Sequence, residues 1–286
     1  MYLNTFTQAI DNNIFYTNPM TARHYENFPV ASLLLPPEFR HPVALIYRFA
    51  READDFADEG GAPDAVRLAQ LEAFRQELLK IEAGTPPAIP WFEALGELIR
   101  KHGLPIDAFR DLLSAFSQDV TKKRYANYGE ALDYCQRSAN PVGRLLLTLY
   151  GAATPQNLAY SNAICSSLQL INFLQDVAID YQKGRIYMPQ DDVVRFGISE
   201  WQIAAGDTGG NWSPFMAFQV DRTRALLQSG APLGRILRGR LGLEMRMIIQ
   251  GGARILAKIT AVDGDIYRHR PVLRWFDWPL MLLRSL

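Results

Sequence analysis

Apolar residues recur at three- and four-residue intervals along almost all of this 286-residue chain, and alternation over strand length is hard to find. That spacing is the period of an amphipathic helix and predicts an all-α fold. Proline and glycine mark where the helices begin and end. Pro36 and Pro37 open a helix that runs through Asp58, and Pro63 and Asp64 begin another that stops at Gly84. Pro90 begins a third that ends at Gly103, and Leu104 and Pro105 begin a fourth. A longer pattern from about Tyr128 carries Asn140 and Pro141 in its middle, where the missing N–H forces a kink or a break. From about Pro155 to Tyr181 the chain is apolar on most sides, as suits a helix at the centre of a bundle. Gly206 to Asn211 is expected to be a flexible loop, and helices resume from Pro214 to about Val262. No linker rich in Gly, Ser or Pro divides the chain and no period repeats, so one domain over residues 1–286 is expected.

Composition narrows the classes open to such a bundle. With 48% hydrophobic residues and a formal net charge of zero, the chain can bury a large core and gives no reason to propose nucleic acid as a partner. Cys135 and Cys165 both lie inside apolar helical pattern, as buried free thiols do, which points away from a disulfide framework and toward the cytoplasm. The first residues lack the basic start and apolar run of a signal peptide, and no window has the uncharged length of a spanning helix. The tail from Val272 to Leu286 carries two Trp, a Phe and two Arg. Such a segment can lie peripherally at a membrane interface or pack as a closing helix on the bundle.

Candidate chemistry sits in two aspartate pairs at i, i+4 spacing, Asp54 with Asp58 and Asp176 with Asp180. Each pair lies on one face of its helix, and two such helices facing each other would line a cavity with four carboxylates. One pair alone is most simply a solvated face. The neighbours change that balance. Tyr47 and Arg51 share a stripe with Asp54 and Asp58, and Gln169, Asn172, Asp176 and Asp180 form one polar stripe along an otherwise apolar helix. Each buried polar group left without a partner costs about 1–3 kcal/mol, so a stripe on a central helix needs something to satisfy it. Mg²⁺ takes oxygen ligands and shares its shell between one or two carboxylates, waters and a substrate phosphate.

These segments carry a family resemblance. His24 to Phe28, Tyr47 to Asp58, Tyr134 to Gly143, Gln169 to Asp180 and Gly184 to Pro189 stand in the order found in the squalene/phytoene synthase family, the head-to-head type of trans-isoprenyl diphosphate synthase. The resemblance implies one α-helical isoprenoid-synthase domain around a deep hydrophobic cavity, with Mg²⁺ between two facing aspartate motifs. It implies a prenyl diphosphate substrate that is joined to a second one or, as presqualene diphosphate, rearranged. On the matching positions, Asp54, Asp58, Asp176 and Asp180 anchor the ions with Asn172 nearby. His24, Asn27, Phe28, Tyr47, Arg51, Val142, Gln169, Asn172 and Arg270 contact substrate, and Tyr134 joins the aspartates in catalysis. Arginine suits diphosphate because its planar fork gives two parallel hydrogen bonds to phosphate oxygens.

Departures from the common pattern point to a branch. Gln175 stands where many members have Arg, Asn140 and Pro141 where many have Gly and Thr, and Ala253 where many have Tyr. With Glu26 to Val30, these resemble the branch associated with bacterial hopanoid synthesis. Its members ionise presqualene diphosphate, open the cyclopropane and let water capture the cation, with no nicotinamide. No Gly-rich dinucleotide fingerprint occurs in the chain, and no NADPH is expected. Loss of Arg at 175 and of Tyr at 253 is expected to make room for the water. Two other readings stay open: head-to-head condensation to presqualene diphosphate, dehydrosqualene or phytoene, and a silent assembly or lipid-carrier protein.

Overall fold

The computed structural model describes residues 35–58 and 61–286, so His24, Asn27 and Phe28 lie outside the described residues. Within these bounds the chain is helical, and its one β-bridge joins Arg124 and Ile186. The all-α expectation holds. The first four helices are α1 (Pro37–Asp58), α2 (Asp64–Ala83), α3 (Trp91–His102) and α4 (Ile106–Thr121). Their ends fall where the punctuation puts them. Gly84 and Gly103 take left-handed φ of 68° and 60° and cap the exposed carbonyls of α2 and α3, a conformation that is costly for a residue with a Cβ.

The long pattern after Tyr128 is two helices, α5 (Tyr128–Ser138) and α6 (Asn140–Leu149), broken at Ala139. Pro141 thus falls in the first turn of α6, where its missing N–H removes no intrahelical bond. The apolar pattern from Pro155 also divides, into α7 (Pro155–Gln175) and α8 (Val177–Gln182). Asp176 is the hinge, with φ −109° and ψ 14°. Its carbonyl still accepts from the Asp180 N–H at 2.8 Å, so the two acids keep their helical offset across the break. The remaining helices are α9 (Gln190–Arg195), α10 (Glu200–Ala205), α11 (Trp212–Gly230), α12 (Leu233–Ile236), α13 (Gly239–Ala261) and α14 (Asp277–Ser285).

Two apolar clusters hold the bundle. Phe49 of α1 meets Phe74, Phe92 and Phe109 with ring centroids 5.6, 5.9 and 5.0 Å away, which ties α1 to α2, α3 and α4. The other cluster gathers α7, α11 and α13 around Ile171, Trp212, Phe215 and Leu256. As the apolar pattern of its sequence requires, α7 is central, packing against α5, α6, α11 and α13. Cys135 and Cys165 are free thiols.

The tail packs as a closing helix. Asp277, fully buried at the start of α14, accepts from Arg254 Nε at 2.7 Å, from Lys258 Nζ and from the Arg274 N–H at 2.7 Å. Removing one partner of a buried ion pair strands the others in a poor solvent. Asp277→Ala is expected to lower stability by about 3 kcal/mol, read as a shifted urea midpoint in circular dichroism.

Candidate active site

A cavity of about 650 Å³ runs between α1, α6, α7 and α13. Along α1 its wall changes from Val43 and Ile46 through Tyr47 and Arg51 to Asp54 and Asp58, a change spread over about 22 Å at 1.5 Å per residue. Along α7 it changes likewise, from Ile164 and Leu168 to Gln169, Asn172 and Asp176, with Asp180 following on α8. Leu237, Leu241, Met245 and Ile248 complete the apolar part from α13 and the turn before it. The result is a long greasy chamber with one charged end.

Eleven residues singled out from sequence line this cavity: Tyr47, Arg51, Asp54, Asp58, Tyr134, Val142, Gln169, Asn172, Asp176, Asp180 and Arg270. The two aspartate motifs face each other closely enough for the Asp58 charge to disfavour ionisation of Asp180. Asp54, Asp58 and Asp176 sit at the carboxyl ends of α1 and α7, where the helix dipole is negative and an acid is least welcome, whereas Asp180 lies in the first turn of the short α8. Basic side chains compensate part of that charge. Arg51 lies 2.6 Å from Asp55, Arg185 and Lys183 lie 2.6 and 3.0 Å from Asp58, and Arg270 donates to Asp176 at 2.7 Å. Arg270 is therefore part of the site despite standing 94 residues from its partner.

The compensation is uneven, and the carboxyl groups record it. Burial would raise Asp58, but Arg185 and Lys183 outweigh it and hold the group below the usual range. Burial pushes Asp54 up to about 7, with Asp58 adding to the rise and Arg51 opposing it. Burial and then Asp176 push Asp180 up to about 8. Among the described residues, no three His, Cys, Asp or Glu side chains are gathered as a ready-made metal cage.

Behind this end lies a network that sequence reasoning missed. Asp119, buried on α4, accepts from the Tyr134 hydroxyl at 2.6 Å and from the Tyr187 hydroxyl at 3.0 Å. Burial raises its carboxyl to about 6 in spite of those bonds. Tyr187 stacks on Phe173 at 4.0 Å and accepts from Arg185 at 3.3 Å. Arg185 is 5% exposed, and its Nε is buried with no hydrogen-bond partner among the described residues. A buried guanidinium donor left over after one carboxylate has been met is suited to a second anion. Signals for these residues were present. Arg185 and Tyr187 lie in the matched segment Gly184 to Pro189, and Asp119 continues the apolar stripe Leu112, Ala115 and Phe116 of α4.

The structure corrects one expectation about the altered positions. Neither Gln175 nor Ala253 lines the cavity. Gln175 is buried and donates from Nε2 to the Pro271 carbonyl at 2.6 Å, and Ala253 packs against the second apolar cluster. Gln175 and Asp176 thus hold the adjacent residues Pro271 and Arg270, so Gln175 seats the arginine rather than making room for water.

The fold and this cavity are those of an isoprenoid synthase, and comparisons with known proteins agree. The squalene/phytoene synthase family model matches residues 21–277, and the chain belongs to that family. It is 35% identical over 240 residues to the hydroxysqualene synthase of Rhodopseudomonas palustris, covering 83% of this chain and 80% of that protein. It is 37% identical over 233 residues to the hydroxysqualene synthase of Zymomonas mobilis, covering 78% and 75%. The crystal structure of squalene synthase HpnC from Alicyclobacillus acidocaldarius superposes with a TM-score of 0.78 at 35% identity, over 84% of this chain and 90% of that one. The protein is accordingly an isoprenoid-processing enzyme.

Two predictions follow from the charged end. The folded protein keeps Asp54 and Asp180 protonated to about pH 7 and 8, whereas an unfolded chain releases those protons near 3.8. The folded state therefore binds the extra protons, and their contribution to stability declines as pH rises from about 4 to about 8. In chelator, the melting temperature of the doubly substituted Asp54→Asn, Asp180→Asn protein should fall less between about pH 5 and about pH 9 than that of the native enzyme. Equal slopes would show that the two acids are not held protonated. For the second, Gln175→Ala leaves the Pro271 carbonyl without its donor, a loss of about 1–3 kcal/mol. By loosening Arg270 it should raise KM for the diphosphate more than it lowers kcat.

Proposed function

We propose that this enzyme is a hydroxysqualene synthase, converting presqualene diphosphate and water to hydroxysqualene and diphosphate. The observation that supports this most is the pairing of a long apolar cavity with an acid-and-arginine end, in a chain 35–37% identical to hydroxysqualene synthases over most of its length. The family acts on prenyl diphosphates. The branch assignment, the metal and the roles of individual residues are our reading.

The charged end fits Mg²⁺ by the chemistry of its donors. Asp54 and Asp180 are oxygen donors whose charge the neighbouring basic groups do not cancel, and Asn172 adds a neutral oxygen donor from the α7 wall of the same cavity. Mg²⁺ keeps waters and takes substrate phosphate into its shell, so it needs only part of its ligands from the chain. Asp54, Asp58, Asn172, Asp176 and Asp180 would hold it, and when bound it would neutralise charge on the leaving diphosphate.

The chain's own residues account for the rest. Arg51, Arg185 and Arg270 present guanidinium groups at the end where the carbon–oxygen bond breaks, and favour charge as it develops on diphosphate. Leaving releases a cyclopropylcarbinyl cation into a chamber walled by apolar groups that exclude bulk water. The ring carbon–carbon bond opens, a water oxygen forms the new carbon–oxygen bond, and the proton it loses passes to the released diphosphate. The rings of Tyr47, Tyr134, Phe173 and Tyr187 line the cavity and can face the positive charge.

The test is incubation of the purified enzyme with Mg²⁺ and presqualene diphosphate or farnesyl diphosphate in oxygen-18 water. Hydroxysqualene carrying the label, from presqualene diphosphate and without NADPH, is expected. Product from farnesyl diphosphate alone would instead identify a head-to-head condensing enzyme, and an unlabelled alcohol would mean phosphorus–oxygen cleavage. Asp180→Asn and Arg185→Gln should each lower kcat/KM by about 10²–10³-fold. Mg²⁺ should raise the melting temperature of the native protein and leave that of the Asp54→Asn, Asp180→Asn protein unchanged.

A further inference from the structure

The outer face of α14 does not look like an ordinary closing helix. Its inner side is anchored by Asp277, by Met281 and by the Ser285 carbonyl, which accepts from Arg246. Leu282 and Leu283 on its other side, Trp275 and Phe276 in the turn before it and Leu286 after it are exposed, at 78%, 71% and 87% for Trp275, Leu283 and Leu286. Leu282, Leu283 and Leu286 lie within about one turn of each other, and Trp275 and Phe276 add to the exposed apolar surface at the start of the helix. Arg246 extends the face by also donating to the Gly234 carbonyl at 2.7 Å, which brings the end of α14 beside α12 and its exposed Ile236. Five of the eleven large apolar side chains exposed among the described residues belong to α14 and the residues flanking it, and Ile236 is a sixth.

Its rim is basic. Arg235, Arg238, Arg240, Arg274 and Arg284 are exposed, and none has an ion-pair partner among the described residues. Residues 230–286 hold ten of the 30 Lys and Arg of this neutral chain but four of its 30 Asp and Glu. Of those four acids, Asp277 is buried against cations and Glu244 faces the cavity. The same segment walls the apolar half of the cavity, because Leu237 follows Ile236 and Leu241 follows Arg240.

We propose that this face docks the enzyme peripherally on an anionic lipid bilayer. An apolar surface bearing Trp and Phe, rimmed by arginine, is the pattern that seats a helix at the level of lipid headgroups. Charge complementarity selects lipid as the occupant: another protein could cover the apolar surface, but five exposed arginines without an ion-pair partner among the described residues favour a dense negative partner, which an anionic leaflet supplies. No described helix is long and apolar enough to cross a membrane, so the contact lies in the plane of the bilayer. Docking there would bring the apolar half of the cavity close to the phase in which a thirty-carbon hydrocarbon dissolves. The inference holds whichever prenyl diphosphate the enzyme uses.

Flotation of the full chain with vesicles of phosphatidylcholine, with and without about a third phosphatidylglycerol, tests it. Binding is expected to the anionic vesicles and to weaken with salt. The doubly substituted Trp275→Ser, Leu283→Ser protein should bind at least tenfold more weakly. The triply substituted Arg235→Gln, Arg238→Gln, Arg240→Gln protein should bind roughly 100-fold more weakly, since each arginine near such a surface contributes about fivefold. Both variants change exposed side chains, and an unchanged melting temperature would verify their folding. Failure of the native chain to bind, or equal binding by both variants, would overturn the proposal. So would light scattering that shows a native dimer converted to monomer by Trp275→Ser, Leu283→Ser with no vesicle binding in either, which would assign the face to a second copy.

Discussion

Everything at the charged end depends on one electrostatic constraint: four carboxylates share one partly buried volume, three of them at the negative ends of α1 and α7. Each feature alone is unfavourable. Like charges repel more strongly out of water, and the dipoles of α1 and α7 add negative potential where Asp54, Asp58 and Asp176 sit. The fold meets part of this cost with Arg185, Lys183 and Arg270, which take up Asp58 and Asp176. It leaves Asp54 and Asp180 short of positive charge. An environment that holds acids close to their point of ionisation is poised to accept a cation and an anionic ligand together.

That constraint also explains the layer behind the site. Arg185 cannot be buried beside the cavity without its own support, and Tyr187 and Asp119 provide it in sequence, with Tyr134 as the second donor to Asp119. The tyrosines therefore do more than line a greasy wall. They fix a buried acid that faces the same arginine as Asp58, so Tyr134 is linked to the charged end through hydrogen bonds.

The altered positions teach a different lesson. Gln175 and Ala253 differ from the common family pattern, which made them candidates for shaping the cavity. Neither lines it: Gln175 bonds the Pro271 carbonyl and Ala253 packs against the second apolar cluster. Gln175 fixes the chain that carries Arg270, an indirect role that adjacency to Asp176 could not reveal. Position along a helix predicts which residues share a face, but a residue one step from a functional stripe is turned about 100° away from it.

Much of the molecule was legible before any coordinates. Helical period, prolines at helix starts and glycines at helix ends are local signals, and the first four helices follow them closely because a cap or a missing N–H acts within one turn. The two aspartate stripes were legible for the same reason. What remained hidden was everything that depends on segments far apart in sequence meeting in space. The partnership of Arg270 with Asp176, the hold of Arg185 and Lys183 on Asp58, and the closure of Tyr134 and Tyr187 on Asp119 are of this kind. Periodicity tells which side of a helix is apolar, whereas only packing decides what stands opposite, and the charge of an acid depends on what stands opposite.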